Sequence, residues 1–165
     1  MRFNFYLKIS IGIIEMPYDL VNDLIVGRKN EKVVLSYLNK HIFNEDMFRL
    51  YKNERKQVDF RNNSIVGELK SRTNKHDTYQ ETFFGYNKIE YLIQSKDERD
   101  WKFYFLFTDG LYVWDYNKEE YRVEDHYNQD RGIVDQVYVN IDNLKKITDE
   151  INFYSCLPDD FADYI

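Results

Sequence analysis

The stretch from Lys56 to Arg72, KQVDFRNNSIVGELKSR, constrains this chain more than any other. Apolar and polar residues alternate on both sides of an Asn-Asn pair. That pattern reads as a β-hairpin, because Asn tolerates the left-handed backbone of a tight turn. Yet the stretch carries Asp59, Glu68 and Lys70, residue types that strand interiors disfavour. A two-residue turn at Asn62-Asn63 pairs Phe60 with Ile65 and Asp59 with Val66. Opposed residues share a face, and side chains along a strand alternate with period two. Val66, Glu68 and Lys70 then lie on the face of Asp59, with Asp59 diagonal to Glu68 and their Cα atoms roughly 7–8 Å apart. Val58, Phe60, Ile65, Gly67 and Leu69 take the opposite face, which is apolar. A four-residue loop keeps this parity and an odd one breaks it. Two readings fit: the solvated face of a half-exposed hairpin, or two carboxylates and an ammonium gathered for chemistry.

The chemistry such a set supports is specific. A small number of hard oxygen ligands suits Mg²⁺, with Mn²⁺ as a substitute, because that ion keeps several waters and coordinates phosphates. A bound ion lowers the pKa of water and stabilises charge on phosphoryl oxygens. A lysine two residues beyond the glutamate reaches the same place, where it orients water and offsets negative charge. The result is a phosphodiesterase with no nucleophilic side chain.

Around the hairpin the chain alternates helix and strand. Asn30 caps an expected helix from Glu31 to Ile42, and Leu35, Leu38 and Ile42 put Glu31 on its apolar side. MFRLYK, KQVDFR and SIVGELKSR read as strands. A second helix is expected from Thr78 to Gln94, with Asp77 as N-cap and Gln80 completing a variant capping box. WKFYFLFTDGLYVWDY reads as two strands, buried on both faces, around Thr108-Asp109-Gly110. IVDQVYVNI reads as a further strand, and Asp142 caps a short helix through Leu144, Ile147 and Ile151. The first 26 residues read as an added strand or arm, and the acidic tail from Pro158 as peripheral.

Asp59 in VDF, followed by Glu68-Leu69-Lys70 in GELKS, resembles the PD-(D/E)xK nuclease superfamily, and GRKNE ending at Glu31 is similar to the acidic position on the helix before its sheet. The resemblance covers roughly residues 27–107. It implies an α/β (α+β) restriction endonuclease-like αβββαβ core, a mixed central sheet flanked by helices. A single domain would then hold that core at 27–116, an N-terminal extension at 1–26, and extra strands and a short helix at 117–165. It further implies that Asp59 and Glu68 bind the metal with the Leu69 carbonyl, that Lys70 serves the attacking water, and that Glu31 completes a second-shell or second-metal position. Gln80 falls on the helix where members place a residue contacting site or substrate. Val58 stands where the motif has proline, and Phe84 where one subset has tyrosine. The implied activity is that of a Mg²⁺-dependent deoxyribonuclease, an endonuclease rather than an exonuclease, with DNA as partner and a homodimer as the family-level expectation. The rival is a catalytically inactive nuclease-fold module that binds nucleic acid or protein.

Charge bears on that choice. The net charge of −6 argues against a bulk electrostatic grip on nucleic acid, but Arg49 to Lys75 holds eight Lys or Arg against three acids. Exposed charges act within about 8–10 Å at ordinary salt, so the local sign matters more than the sum. Lys52, Arg55, Lys56, Arg61, Arg72 and Lys75 are the candidate phosphate contacts. Of the three histidines, His76 is the one expected near the site. Cys156 is the only cysteine, which excludes a disulfide or a cysteine zinc site within one chain and points to an intracellular setting. The longest apolar run is too short to span a membrane.

Overall fold

The computed structural model describes residues 20–43, 49–50, 58–117, 120–128 and 132–153. The expected N-terminal arm up to residue 19, Lys52, Arg55, Lys56, Cys156 and the acidic tail lie outside them. The fold is mixed α/β, in three layers. Its centre is a six-stranded mixed sheet in the order β1-β2-β3-β5-β6-β9, formed by β1 (Arg49–Leu50), β2 (Phe60–Arg61), β3 (Ile65–Ser71), β5 (Asp100–Phe107), β6 (Gly110–Asp115) and β9 (Lys145–Thr148). The β3–β5 pair is parallel and its neighbours are antiparallel.

Helix α1 (Leu20–His41) covers one face. Its buried stripe is Val26, Asn30, Val34 and Leu38, every fourth residue, which keeps one side of an α-helix on the sheet. Val34 and Leu38 pack on Phe60, Ile65, Leu69, Tyr104 and Leu106. The helix therefore begins well before Asn30, which is not a cap but a buried interior residue whose Nδ2 donates to Ser71 Oγ at 2.7 Å. The stripe shares Leu38 with the expected one but takes Val34 and Asn30 in place of Leu35 and Glu31, leaving Glu31 half-buried on its flank and Ile42 exposed.

The other face is covered by α2 (Asn87–Ser95) and by a three-stranded sheet in the order β4-β8-β7, made of β4 (Glu81–Gly85), β7 (Arg122–Asn128) and β8 (Gly132–Asn140). Ile89, Leu92, Phe84, Val137 and Val139 pack there on Val66, Phe103, Phe105, Phe107 and Trp114. The expected helix from Thr78 is thus corrected. His76–Thr78 is one 3-10 turn, and Glu81–Gly85 is strand. Thr82 and Phe84 are buried while Phe83 between them is exposed, a period of two that no helix gives. The expected helix after Asp142 is a 3-10 turn at Ile141–Asn143, with the Asn140 side chain accepting from Asp142 N, and the chain then pairs with β6 as β9.

The central hairpin β5–β6 is as expected. Phe103, Phe105 and Phe107 point to one buried layer, and Tyr104 and Leu106 to the other. Its turn closes through Gly110 at φ +144°, where a Cβ would stand 2.5 Å from the Thr148 carbonyl oxygen.

Candidate active site

Asp59, Glu68 and Lys70 come together at the open end of the β2–β3 hairpin. The turn that joins these strands is Asn63-Ser64, one residue later than expected. Asn62 moves it: its Oδ1 accepts from Ser64 N at 2.9 Å and Ile65 N at 2.6 Å, a side-chain turn that fixes the corner. The register becomes Arg61↔Val66 and Phe60↔Gly67. Both ends shift by one residue, so parity survives and Glu68 and Lys70 remain on the face of Val66. Gly67 is required here, since a Cβ would lie 2.2 Å from the Phe60 ring.

At Val58 and Asp59 the chain bends out of the ladder, and Val58 packs with Val66 rather than on the side of Phe60. Asp59 N donates to Gly67 O at 3.1 Å, and Asp59 Oδ2 accepts from Leu69 N at 2.7 Å. The carboxylate thus takes the place of a main-chain carbonyl and clamps the residues on either side of Glu68. Burial, followed by the charge of Glu68, pushes the Asp59 carboxyl up to about 7; Glu31 adds to the rise, while the Leu69 amide and Lys70 oppose it. The Asn30–Ser71 hydrogen bond fastens α1 beside β3, and the residue that follows Asn30 on the helix is Glu31.

Glu68 is 2% exposed. Its Oε1 accepts from Lys70 Nζ at 2.7 Å and from Lys88 Nζ at 3.0 Å, and its Oε2 has no hydrogen-bond partner. Lys88 lies in the first turn of α2 and is a site residue that the sequence reading missed. Its signal was its place next to Ile89 and Leu92, on the flank of a buried stripe, but a helix begun at Thr78 hid it.

The other expected residues do not join this cluster. Arg72 lies beyond it, held by its own contacts: its Nε donates to Thr82 Oγ1 at 3.1 Å, Nη1 to Ser71 O at 3.0 Å, and Nη2 to Phe83 O. Gln80 is exposed and accepts through its carbonyl from Ile141 N, at the end of β4 remote from α2. Phe84 is core. His76 stacks on Tyr112 at 4.1 Å and its Nε2 lies 3.2 Å from Ile141 O, so it belongs to an aromatic corner instead. Arg61 and Lys75 are exposed.

Two acids, Asp59 and Glu68, lie beside two ammonium groups, Lys70 and Lys88, with the charge of Glu31 felt at Asp59. An unpartnered buried carboxylate oxygen and an aspartate driven toward protonation both mark a place where more positive charge would be stabilising. The donor types, carboxylate oxygens, suit a hard divalent cation that keeps its waters. Among the described residues, no three His, Cys, Asp or Glu side chains already converge as a metal-binding group. No protein-family model, curated protein or solved structure significantly matches the chain. Among the described residues, no helix is long and apolar enough to cross a membrane.

Proposed function

We propose that this protein is a metal-dependent nuclease of the PD-(D/E)xK kind, hydrolysing phosphodiester bonds in DNA at Asp59, Glu68 and Lys70. The observation that carries the reading is the buried pair formed by Asp59 and Glu68, joined through the Leu69 amide and faced by a lysine from the same strand. The strand order supports it too. An antiparallel β1-β2-β3 meander, a connection through β4 and α2 to a parallel β5, and an antiparallel β6 are compatible with the proposed restriction endonuclease-like core.

Asp59 and Glu68 would hold Mg²⁺, with the Leu69 carbonyl and Glu31 as further oxygen donors. The ion, when bound, supplies a water of lowered pKa and neutralises charge on the phosphoryl oxygens. The chain's own residues do the rest. Lys70, tethered to Glu68 Oε1, orients the attacking water beside the phosphorus. Lys88 stands on the same oxygen and offsets charge from the side of α2. Asp59 must lose its proton to act as a ligand, so activity rises with pH toward neutrality.

One observation favours a second reading, an inactive nuclease-fold module. Two ammonium groups already offset the charge of Glu68 at its Oε1 without any ion. Incubating plasmid and linear DNA with Mg²⁺ or Mn²⁺ separates the two. The nuclease reading expects cleavage that Glu68→Ala abolishes and that Lys70→Ala slows about 10²- to 10³-fold, the usual cost of losing a preorganised electrostatic group. Wild-type protein that leaves both DNAs intact selects the inactive module, and Lys70→Ala cutting at the wild-type rate overturns the role given to Lys70.

A further inference from the structure

Arg72 is a half-buried charge that the Glu68 site does not use. The parallel ladder continues through it, with Arg72 N donating to Leu106 O at 2.8 Å. Its side chain therefore follows those of Glu68 and Lys70 on one face, roughly 7 Å beyond Lys70 along the strand. A guanidinium has five N–H donors, and three here go to neutral oxygens: a threonine hydroxyl and two carbonyls. No carboxylate among the described residues pairs with it. Its carbon lies 5.5 Å from the Phe83 ring centre and 5.7 Å from that of Phe105. Burial lowers its pKa to about 10, so at neutral pH it remains a cation surrounded by dipoles and rings.

Arg72 borders a cavity of about 70 Å³ shared with Asn74, His76, Tyr79, Glu81 and Phe83. Glu81 does not neutralise Arg72, because Arg122 binds it through Nε at 2.9 Å and Nη2 at 2.6 Å. Arg72 is therefore the lining cation that no carboxylate among the described residues neutralises. Two aromatic side chains of its lining face solvent, Tyr79 at 66% exposure and Phe83 at 46%. A guanidinium with free donors, a space the size of a small oxyanion and exposed rings beside it are the components of a nucleotide contact.

We propose that Arg72 and this cavity form a phosphate subsite for the strand held at Glu68 and Lys70, with Tyr79 and Phe83 as the stacking surface for the adjoining base. The subsite rests on the nuclease reading for its substrate. The spacing from Lys70 is comparable to one backbone step of a nucleic-acid strand, so the group bound is a terminal phosphate or the neighbouring phosphodiester.

The test uses the whole chain in EDTA, where no cleavage competes. Inorganic phosphate is titrated while the Arg72 Nε–Hε resonance is followed by NMR. Binding of a short oligonucleotide, with a 5′-phosphate or a 5′-hydroxyl, is measured in parallel for wild type and Tyr79→Ala. The subsite predicts a saturable phosphate-dependent shift at Arg72 in both proteins. It also predicts about tenfold weaker oligonucleotide binding by Tyr79→Ala, the loss of one stacked base. Tenfold tighter binding of the 5′-phosphorylated strand assigns a terminal phosphate, whereas equal binding assigns the internal phosphodiester; either supports the subsite. An Arg72 resonance that phosphate does not move, together with wild-type oligonucleotide affinity in Tyr79→Ala, overturns it. The inorganic-phosphate arm reads the cavity alone. Absence of Mg²⁺-dependent cleavage overturns only the nuclease reading, so the two failures are distinct.

Discussion

Hairpins β5–β6 and β2–β3 belong to one sheet, with β3 paired directly to β5. Hairpin β5–β6 keeps its register over six pairs from Lys102↔Asp115 to Phe107↔Gly110, and nearly every side chain of its centre is buried and apolar. In hairpin β2–β3 the ladder has two pairs, and beyond Phe60 a carboxylate completes it in place of the main chain. Glu68 is as buried as the phenylalanines beside it, yet it needs two lysines on one oxygen and leaves the other unpartnered. One hairpin is arranged for stability. The other holds charge where charge is costly, as sites that do chemistry commonly do.

Substituting one residue at a time sharpens this contrast. The largest effect is expected in β5–β6. Phe103→Ala removes a fully buried ring between Phe84 and Trp114 and should destabilise the fold by about 3–5 kcal/mol, measured by urea unfolding. Asp59→Asn should act in the opposite direction, and in a pH-dependent way. The folded state raises the Asp59 pKa from 3.8 to about 7. It therefore binds the proton more tightly than the unfolded chain does. The associated stability is fully present below pH 4 and is lost as pH rises through 7. The gap between the variant and wild type should shift in favour of the variant by up to about 4 kcal/mol from pH 4 to pH 8. Equal pH profiles for the two proteins would mean that Asp59 is not strained by burial. Lys88→Met should cost only about 1–2 kcal/mol, because Lys70 still holds Glu68 Oε1, and the same unfolding assay reads it.

The same contrast explains what the sequence made legible. Hairpin β5–β6 was readable because local signals agree: apolar runs, strand-forming residues and a Thr108-Asp109-Gly110 turn all specify one register. The meeting of Asp59 and Glu68 was readable for a weaker reason, since parity holds for any loop with an even number of residues, wherever the turn falls. The register itself was not readable, because the choice between Asn62-Asn63 and Asn63-Ser64 rests on the hydrogen bonds of one asparagine side chain. Strand β4 was hidden by the helix-start signal at Asp77, which the tertiary pairing of Glu81–Gly85 with β8 overrides. Strand β7 is exposed along its length, so no apolar alternation announces it; its ladder with β8 forms it. Lys88 was lost with the misplaced start of α2.

The central claim is that Asp59 and Glu68 await a divalent cation, and calorimetric titration with Mn²⁺ between pH 5.5 and 8 tests it most directly. In the proposed site ionised Asp59 would be the ligand; its pKa is about 7, so binding would displace a proton below that pH. The account predicts an affinity that climbs about tenfold per pH unit up to neutrality and then levels, with proton release visible in buffers of different ionisation enthalpy. Lys70→Ala should bind Mn²⁺ as well as wild type or better, because a neighbouring positive charge is gone. Absence of Mn²⁺ binding at pH 8, or binding of the same strength at every pH, would contradict it.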